Sequence, residues 1–134
     1  MGKANVLVVE DDDTIRRLLI EYLRERPSLH VQGARDGVEA LHRLSSEPYK
    51  VVVLDLMMPH MSGADLLDSL EAVARDPSFR WPSDRPAIIV ITSTPVETLD
   101  DSAIARRCPA LVRGVLRKPF DIAQLAGTVE KLAV

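Results

Sequence analysis

Cysteine is nearly absent from this sequence. Cys108 stands alone, which excludes an intramolecular disulfide and any cysteine-rich zinc site, and suits a small core or loop residue better than a nucleophile. Long apolar runs are missing as well. The longest, such as Val6 to Val9 and Ile88 to Ile91, fall far short of the roughly 20 residues that cross a bilayer, so no membrane span is expected. Met1-Gly2-Lys3 leads almost directly into a strand-like run without an apolar signal region, which makes the cytoplasm the default compartment. The six glycines are scattered and form neither a Walker-type nor a dinucleotide-binding pattern, so nucleotide binding is disfavoured. An excess of positive charge is lacking too. The net charge of −3 argues against a phosphate-backbone surface and against direct nucleic-acid binding.

What is present is a folded, single-domain composition. A chain of 134 residues with 46% hydrophobic and 28% charged residues can build one core but not two, so residues 1–134 are expected to form one domain. Val6-Leu7-Val8-Val9, Val51-Val52-Val53-Leu54 and Ile88-Ile89-Val90-Ile91 are unbroken aliphatic runs, the signature of parallel strands buried on both faces. Leu29-His30-Val31-Gln32 alternates apolar with polar. Gly114-Val115-Leu116 is short and flanked by Arg113 and Arg117, and both segments read as margin strands.

Helical stripes lie between the strands. Ile15, Leu18, Leu19, Tyr22 and Leu23 form the first, Ala40, Leu41 and Leu44 the second, and Leu66, Leu67, Leu70, Val73 and Ala74 the third. A less regular helix is expected over Pro95 to Arg107, opened by the capping-box spacing of Thr94-Pro95-Val96-Glu97. The last stripe is Ile122, Leu125, Ala126, Val129 and Leu132. Asp36 with Glu39, and Asp121 with Gln124, resemble acceptor caps, and Asp12 or Asp13 suits the cap of the first helix. Strictly alternating strands and helices demand right-handed crossovers. The expected fold class is therefore α/β, a flavodoxin-like three-layer sandwich with a five-stranded parallel sheet in order 2-1-3-4-5 and five helices. The stretch from Asp76 to Pro86, with Phe79 and Trp81, reads as an extended loop before the fourth strand, its two aromatics packing their own loop.

Ligands of such sheets bind beyond the carboxyl ends of the strands, so the residues following each buried run carry the chemistry. Here Glu10, Asp11, Asp12 and Asp13 follow the first strand, Asp55 the third, Thr92 and Ser93 the fourth, and Lys118 the fifth. Clustered carboxylates repel one another unless a cation neutralises them, and all-oxygen ligands suit Mg²⁺, with Mn²⁺ able to replace it. Mg²⁺ is commonly completed by phosphate oxygens, and a neighbouring Lys and hydroxyl supply what phosphoryl charge requires, so the constellation fits phosphoryl transfer onto Asp55. By contrast His30, His42 and His60 lack metal-ligand spacing and read as surface or loop residues.

Val8-Val9-Glu10-Asp11-Asp12, Leu54-Asp55-Leu56-Met57-Met58-Pro59, Ile91-Thr92-Ser93 and Lys118-Pro119-Phe120 together resemble the motifs of response-regulator receiver domains, of the CheY-like kind, over nearly the whole chain. The resemblance implies that Glu10, Asp11, Asp55 and the backbone carbonyl of Met57 hold the metal. It makes Asp55 the phosphoacceptor and puts Thr92 and Lys118 on the phosphoryl oxygens. A sensor histidine kinase or a histidine phosphotransfer protein is the implied donor, docking near Arg16 and Arg17, and a downstream protein target of unknown identity is the implied output. The chain would be a monomer or weak dimer, and no enzyme beyond intrinsic self-phosphorylation and autodephosphorylation. A cis Lys118-Pro119 bond is also implied, such bonds being cheap only before proline.

The sequence departs from the resemblance at two points. Val115 stands where many receivers carry an aromatic residue three positions before the Lys, so switching would have to be driven through Thr92. Met57, two positions after the acceptor, is apolar where a polar residue could align attacking water, so slow loss of phosphate is expected. Two rival functions follow. A magnesium-dependent phosphohydrolase of the haloacid-dehalogenase type would want a second Asp at the Met57 position. A phosphorylation-independent binding module would not need Glu10, Asp11, Asp55, Thr92 and Lys118 intact.

Overall fold

The computed structural model describes residues 2–56, 63–93 and 98–134. Strands β1 (Ala4–Val9), β2 (Leu29–Ala34), β3 (Val51–Asp55), β4 (Ala87–Thr92) and β5 (Val112–Arg117) alternate with helices α1 (Asp13–Arg24), α2 (Gly37–Ser46), α3 (Gly63–Arg75), α4 (Asp101–Arg107) and α5 (Ile122–Leu132). The strands form one sheet in the expected order β2-β1-β3-β4-β5, parallel throughout as the alternation of strands with crossover helices requires.

Successive strand residues point to opposite faces, and the aliphatic runs satisfy both. Leu7, Val9, Val52, Leu54, Ile88 and Val90 pack with Ala40, Leu44, Leu66, Leu67, Leu70 and Ile104 of α2, α3 and α4. Val6, Val8, Val51, Val53, Ile89 and Ile91 pack with Leu19, Leu23, Leu125, Ala126 and Val129 of α1 and α5. Each large aliphatic side chain removed from water in these layers contributes roughly 1.5–3 kcal/mol. The margin strands are less covered. His30 on β2 and Arg113 on β5 are exposed, whereas β3 is buried throughout.

Helix starts follow the acceptor caps. Asp12 accepts from the Ile15 amide, Asp36 from that of Glu39, and Asp121 from that of Ala123. At α2 the Glu39 carboxylate also reaches back to the Arg35 amide, 2.9 Å away. Lys118-Pro119 is cis, as expected.

Three local expectations need correction. The fourth helix does not run as one piece from Pro95. Residues 98–100 are non-helical, and α4 starts at Asp101 because Asp100 caps it by accepting from the Ala103 amide; the capping box at residues 94–97 lies outside the described residues. The stripe of α1 is less fully buried than its spacing suggests: Leu19 and Leu23 are buried, but Ile15 is 40% exposed because it continues their strip into the first turn at the open end of the sheet, and Leu18 is 58% exposed because it stands to one side of the strip. Phe79 and Trp81 do pack edge-on, with centroids 4.9 Å apart, yet not only on each other. Trp81 also lies against the α2–α4 core layer, and both rings border a pocket with Leu41, Leu44, Leu70 and Val73.

Cys108 is buried in the same layer, and burial pushes its thiol up to about 11, so it behaves as a small apolar residue. His30 and His42 are exposed, and His60 lies outside the described residues. Among the described residues no helix is long and apolar enough to cross a membrane.

Candidate phosphoryl and metal site

The carboxyl ends of β1, β3, β4 and β5 deliver the site. Glu10 follows β1, and its amide donates to the Ala34 carbonyl of β2 at 3.1 Å. Asp55 is the last residue of β3 and Thr92 the last of β4. Lys118 follows β5, its amide donating to the Thr92 carbonyl at 2.8 Å. These ladder-type bonds fix the four backbones relative to one another, so the side chains converge without depending on long loops.

Glu10 and Asp55 are buried, and Asp11 is half-buried. One carboxylate oxygen from each lies within 4.8 Å of the others, a spacing at which a single hard cation can touch all three. Lys118 Nζ donates to Asp55 Oδ2 at 3.3 Å. Thr92 is wholly buried at the neighbouring strand end.

The electrostatics show the strain of this crowding. Burial is the main cause that pushes the Glu10 carboxyl up to about 8, aided by side-chain hydrogen bonds with Asp55 and Asp11 and by the Asp55 charge. The Asp12 amide, 3.2 Å from Glu10 Oε2, pulls the other way. Three carboxyl groups with one lysine are an incomplete charge set, and all-oxygen donors suit a hard divalent cation such as Mg²⁺. Beneath the carboxylates lies a small cavity of about 40 Å³ bordered by Ile15, Leu19, Val53, Ile91 and Phe120, so the floor of the site is apolar.

Glu10, Asp11, Asp55 and Lys118 thus meet at one place, with Thr92 on the adjoining strand end. The Met57 carbonyl lies outside the described residues. Asp12 caps α1 through its side chain rather than joining the three-carboxylate cluster.

Two contributors were not anticipated from sequence. Gly63 opens α3, and its amide donates to the Leu56 carbonyl at 2.9 Å. A Cβ there would stand 2.5 Å from Leu56 Cα and 2.7 Å from the Asp55 carbonyl oxygen, so only glycine allows the helix to approach the acidic strand end this closely. Its signal in the sequence is a glycine at the head of a helical stripe a few residues after Asp55. Arg16, near the side of α1 expected to dock the phosphodonor, turns its guanidinium toward the β1–α1 loop. Its guanidinium donates to the Glu10 carbonyl at 2.8 Å and to Asp13 Oδ1 at 2.5 Å, whereas Arg17 is exposed.

The fold and site define a doubly wound α/β domain with a candidate cation site in the acidic crevice at the carboxyl edge of its sheet. The chain belongs to the response regulator receiver domain family, which it matches over residues 6–130. It is 31% identical to the response regulator receiver protein CpdR of Brucella abortus, over 96% of both chains. Among solved structures it resembles the receiver domain of the Francisella response regulator 1452, with a TM-score of 0.80 and 26% identity over 98% of this chain and 97% of that one. It also resembles the response regulator TrrA of Thermotoga maritima, solved in complex with Mg²⁺ and BeF, with a TM-score of 0.74 and 28% identity over 96% of this chain and 98% of that one.

Proposed function

We propose that residues 1–134 act as one receiver domain of a cytoplasmic two-component phosphorelay, accepting a phosphoryl group on Asp55 and altering contacts with a downstream protein. The observation that carries this reading is the convergence of Glu10, Asp11 and Asp55 within 4.8 Å, with the Lys118 ammonium 3.3 Å from the Asp55 carboxylate. The Mg²⁺–BeF complex of TrrA supports it, since the two chains share the fold.

In this reading Glu10, Asp11 and Asp55 hold Mg²⁺, with the Met57 carbonyl as the further protein ligand. When bound, the metal neutralises charge shared between the carboxylates and the phosphoryl oxygens. A carboxylate oxygen of Asp55 attacks phosphorus of a phosphohistidine on a sensor kinase or phosphotransfer protein. The acyl-phosphate P–O bond forms as the P–N bond breaks, and the imidazole leaves. Lys118 compensates the negative charge gathered on the phosphoryl oxygens, and the Thr92 hydroxyl donates to one of them. The apolar floor formed by Val53, Ile91 and Phe120 limits water beneath the acceptor. The chain turns over no substrate of its own beyond loading and losing this group.

The test is incubation with a small-molecule phosphodonor and Mg²⁺ followed by intact mass measurement, beside Asp55→Asn. Gain of one phosphoryl group by the wild type alone is the expected result. Equal gain by both proteins, or by neither, overturns the assignment.

A further inference from the structure

Arg16 belongs to the first turns of α1, yet its side chain serves the loop before the helix. Its two terminal nitrogens straddle that loop. One donates to the Glu10 carbonyl at 2.8 Å and the other to Asp13 Oδ1 at 2.5 Å, with 20% of the side chain exposed. The Glu10 amide is already tied to the Ala34 carbonyl at 3.1 Å. The peptide unit that joins Glu10 to Asp11 is therefore held by the guanidinium on one side and its residue by strand β2 on the other.

The route of the side chain is also built. The Arg16 stem passes over Gly33 of β2, where a Cβ would lie 3.1 Å from Arg16 Cδ and 2.7 Å from Ile20 Cδ1. The missing side chain at Gly33 gives the stem its space. Arg suits this post because its planar fork can serve a carbonyl and a carboxylate at once, whereas an ammonium is a single point donor.

We propose that Arg16, seated over Gly33, is a positioning residue that sets the Glu10–Asp11 peptide for cation binding. The inference rests on the proposed metal-dependent function. Its sign separates it from a plain charge effect. Deleting a cation beside an acidic crevice strengthens the attraction for Mg²⁺ by simple electrostatics, whereas deleting a support of the ligand backbone weakens it.

The experiment is calorimetric titration of the apo-protein with Mg²⁺, with thermal unfolding of each apo-variant as the folding control. Arg16→Met, which keeps the stem and loses the fork, is expected to weaken Mg²⁺ binding roughly tenfold, the usual cost of losing a support behind a ligand. Arg16→Lys is expected to recover part of that loss. Gly33→Ala, which touches no carboxylate, is expected to weaken binding by displacing the stem. Lys131→Ala, a charge deletion at an exposed position of α5, is expected to leave it unchanged. Hydrogen exchange adds a readout without metal: the Asp12 amide, bonded to Glu10 Oε2, is expected to exchange faster in Arg16→Met. Unchanged or tighter Mg²⁺ binding by folded Arg16→Met, with a wild type that binds normally, overturns this inference alone. A wild type that does not bind Mg²⁺ overturns the metal-dependent function and this inference with it.

Discussion

Lys118 Nζ and Asp55 Oδ2 meet at 3.3 Å although 63 residues separate them in the chain. Their union depends on β4 lying between β3 and β5, because the Lys118 amide is fixed to the Thr92 carbonyl and the Asp55 strand pairs with β4 on its other side.

This pair is expected to be energetically coupled. Lys118→Ala should lower apo-protein stability by about 1–2 kcal/mol at pH 7, discounted because Lys118 is partly solvated, and should cost much less when Asp55 is already Asn. Urea unfolding of the four members of the double-mutant cycle measures the coupling, and strictly additive values would contradict it.

Glu10 sets the pH response. Its folded-state value of about 8 lies above its ordinary 4.5, so between those limits the native state binds more protons than the unfolded one. Stability from this group is therefore fully present below about 4.5 and is lost as pH rises through 8, by on the order of a few kcal/mol. Mg²⁺ held by Glu10 as proposed would have to displace that proton, so its affinity should climb with pH and level off above 8. Glu10→Gln should flatten the apo-protein's pH–stability curve across this window and weaken Mg²⁺ binding. Thermal melts with and without Mg²⁺ over a pH series read both effects.

Gly63→Ala tests the close approach of α3. The added methyl would meet backbone atoms of Asp55 and Leu56, which cannot rotate away, so a loss of about 1–3 kcal/mol is expected together with slower phosphoryl uptake. Denaturant midpoints and timed mass spectra provide the two readouts. Gly127→Ala, where a Cβ meets nothing within 4 Å, is the matched control and is expected to be neutral or mildly stabilising.

Should Asp55 take up a phosphoryl group as proposed, Val115 offers no large ring to move, and the bonded route outward runs through Thr92. Thr92 pairs with Arg117 across the sheet, and the Arg117 guanidinium donates to the Leu99 carbonyl at 2.6 Å and Asp101 Oδ1 at 2.8 Å, at the head of α4. Addition of Mg²⁺ and beryllofluoride is expected to shift the amide resonances of Thr92, Leu99 and Asp101. In Arg117→Ala the shifts in α4 should shrink while that of Thr92 persists. Silence from residue 98 to Val115 in the wild type would rule out a Thr92-driven response.

Much of this architecture was legible because buried parallel strands must be apolar on both faces, and Val51 to Leu54 or Ile88 to Ile91 can hardly be anything else. The acidic site was legible for a related reason: a Glu, an Asp and a Lys placed directly after such runs have only the carboxyl edge of the sheet to occupy. What escaped notice depends on packing rather than pattern. Ile15 and Leu18 share the helical spacing of Leu19 and Leu23 but not their burial. The fourth helix starts at a local Asp100 cap that competes with an equally plausible signal upstream. Gly63 and Arg16 matter through contacts with backbone atoms of the neighbouring strand ends, and beyond the glycine at the head of the third helical stripe, spacing along the chain does not single them out.

The chain's one indole, Trp81, sits with Phe79 against α2 and α3 rather than among the acidic strand ends. Its emission should accordingly follow the melting of that hydrophobic layer and stay indifferent to ions entering the crevice, which makes it a natural optical gauge of folding that metal titrations leave undisturbed.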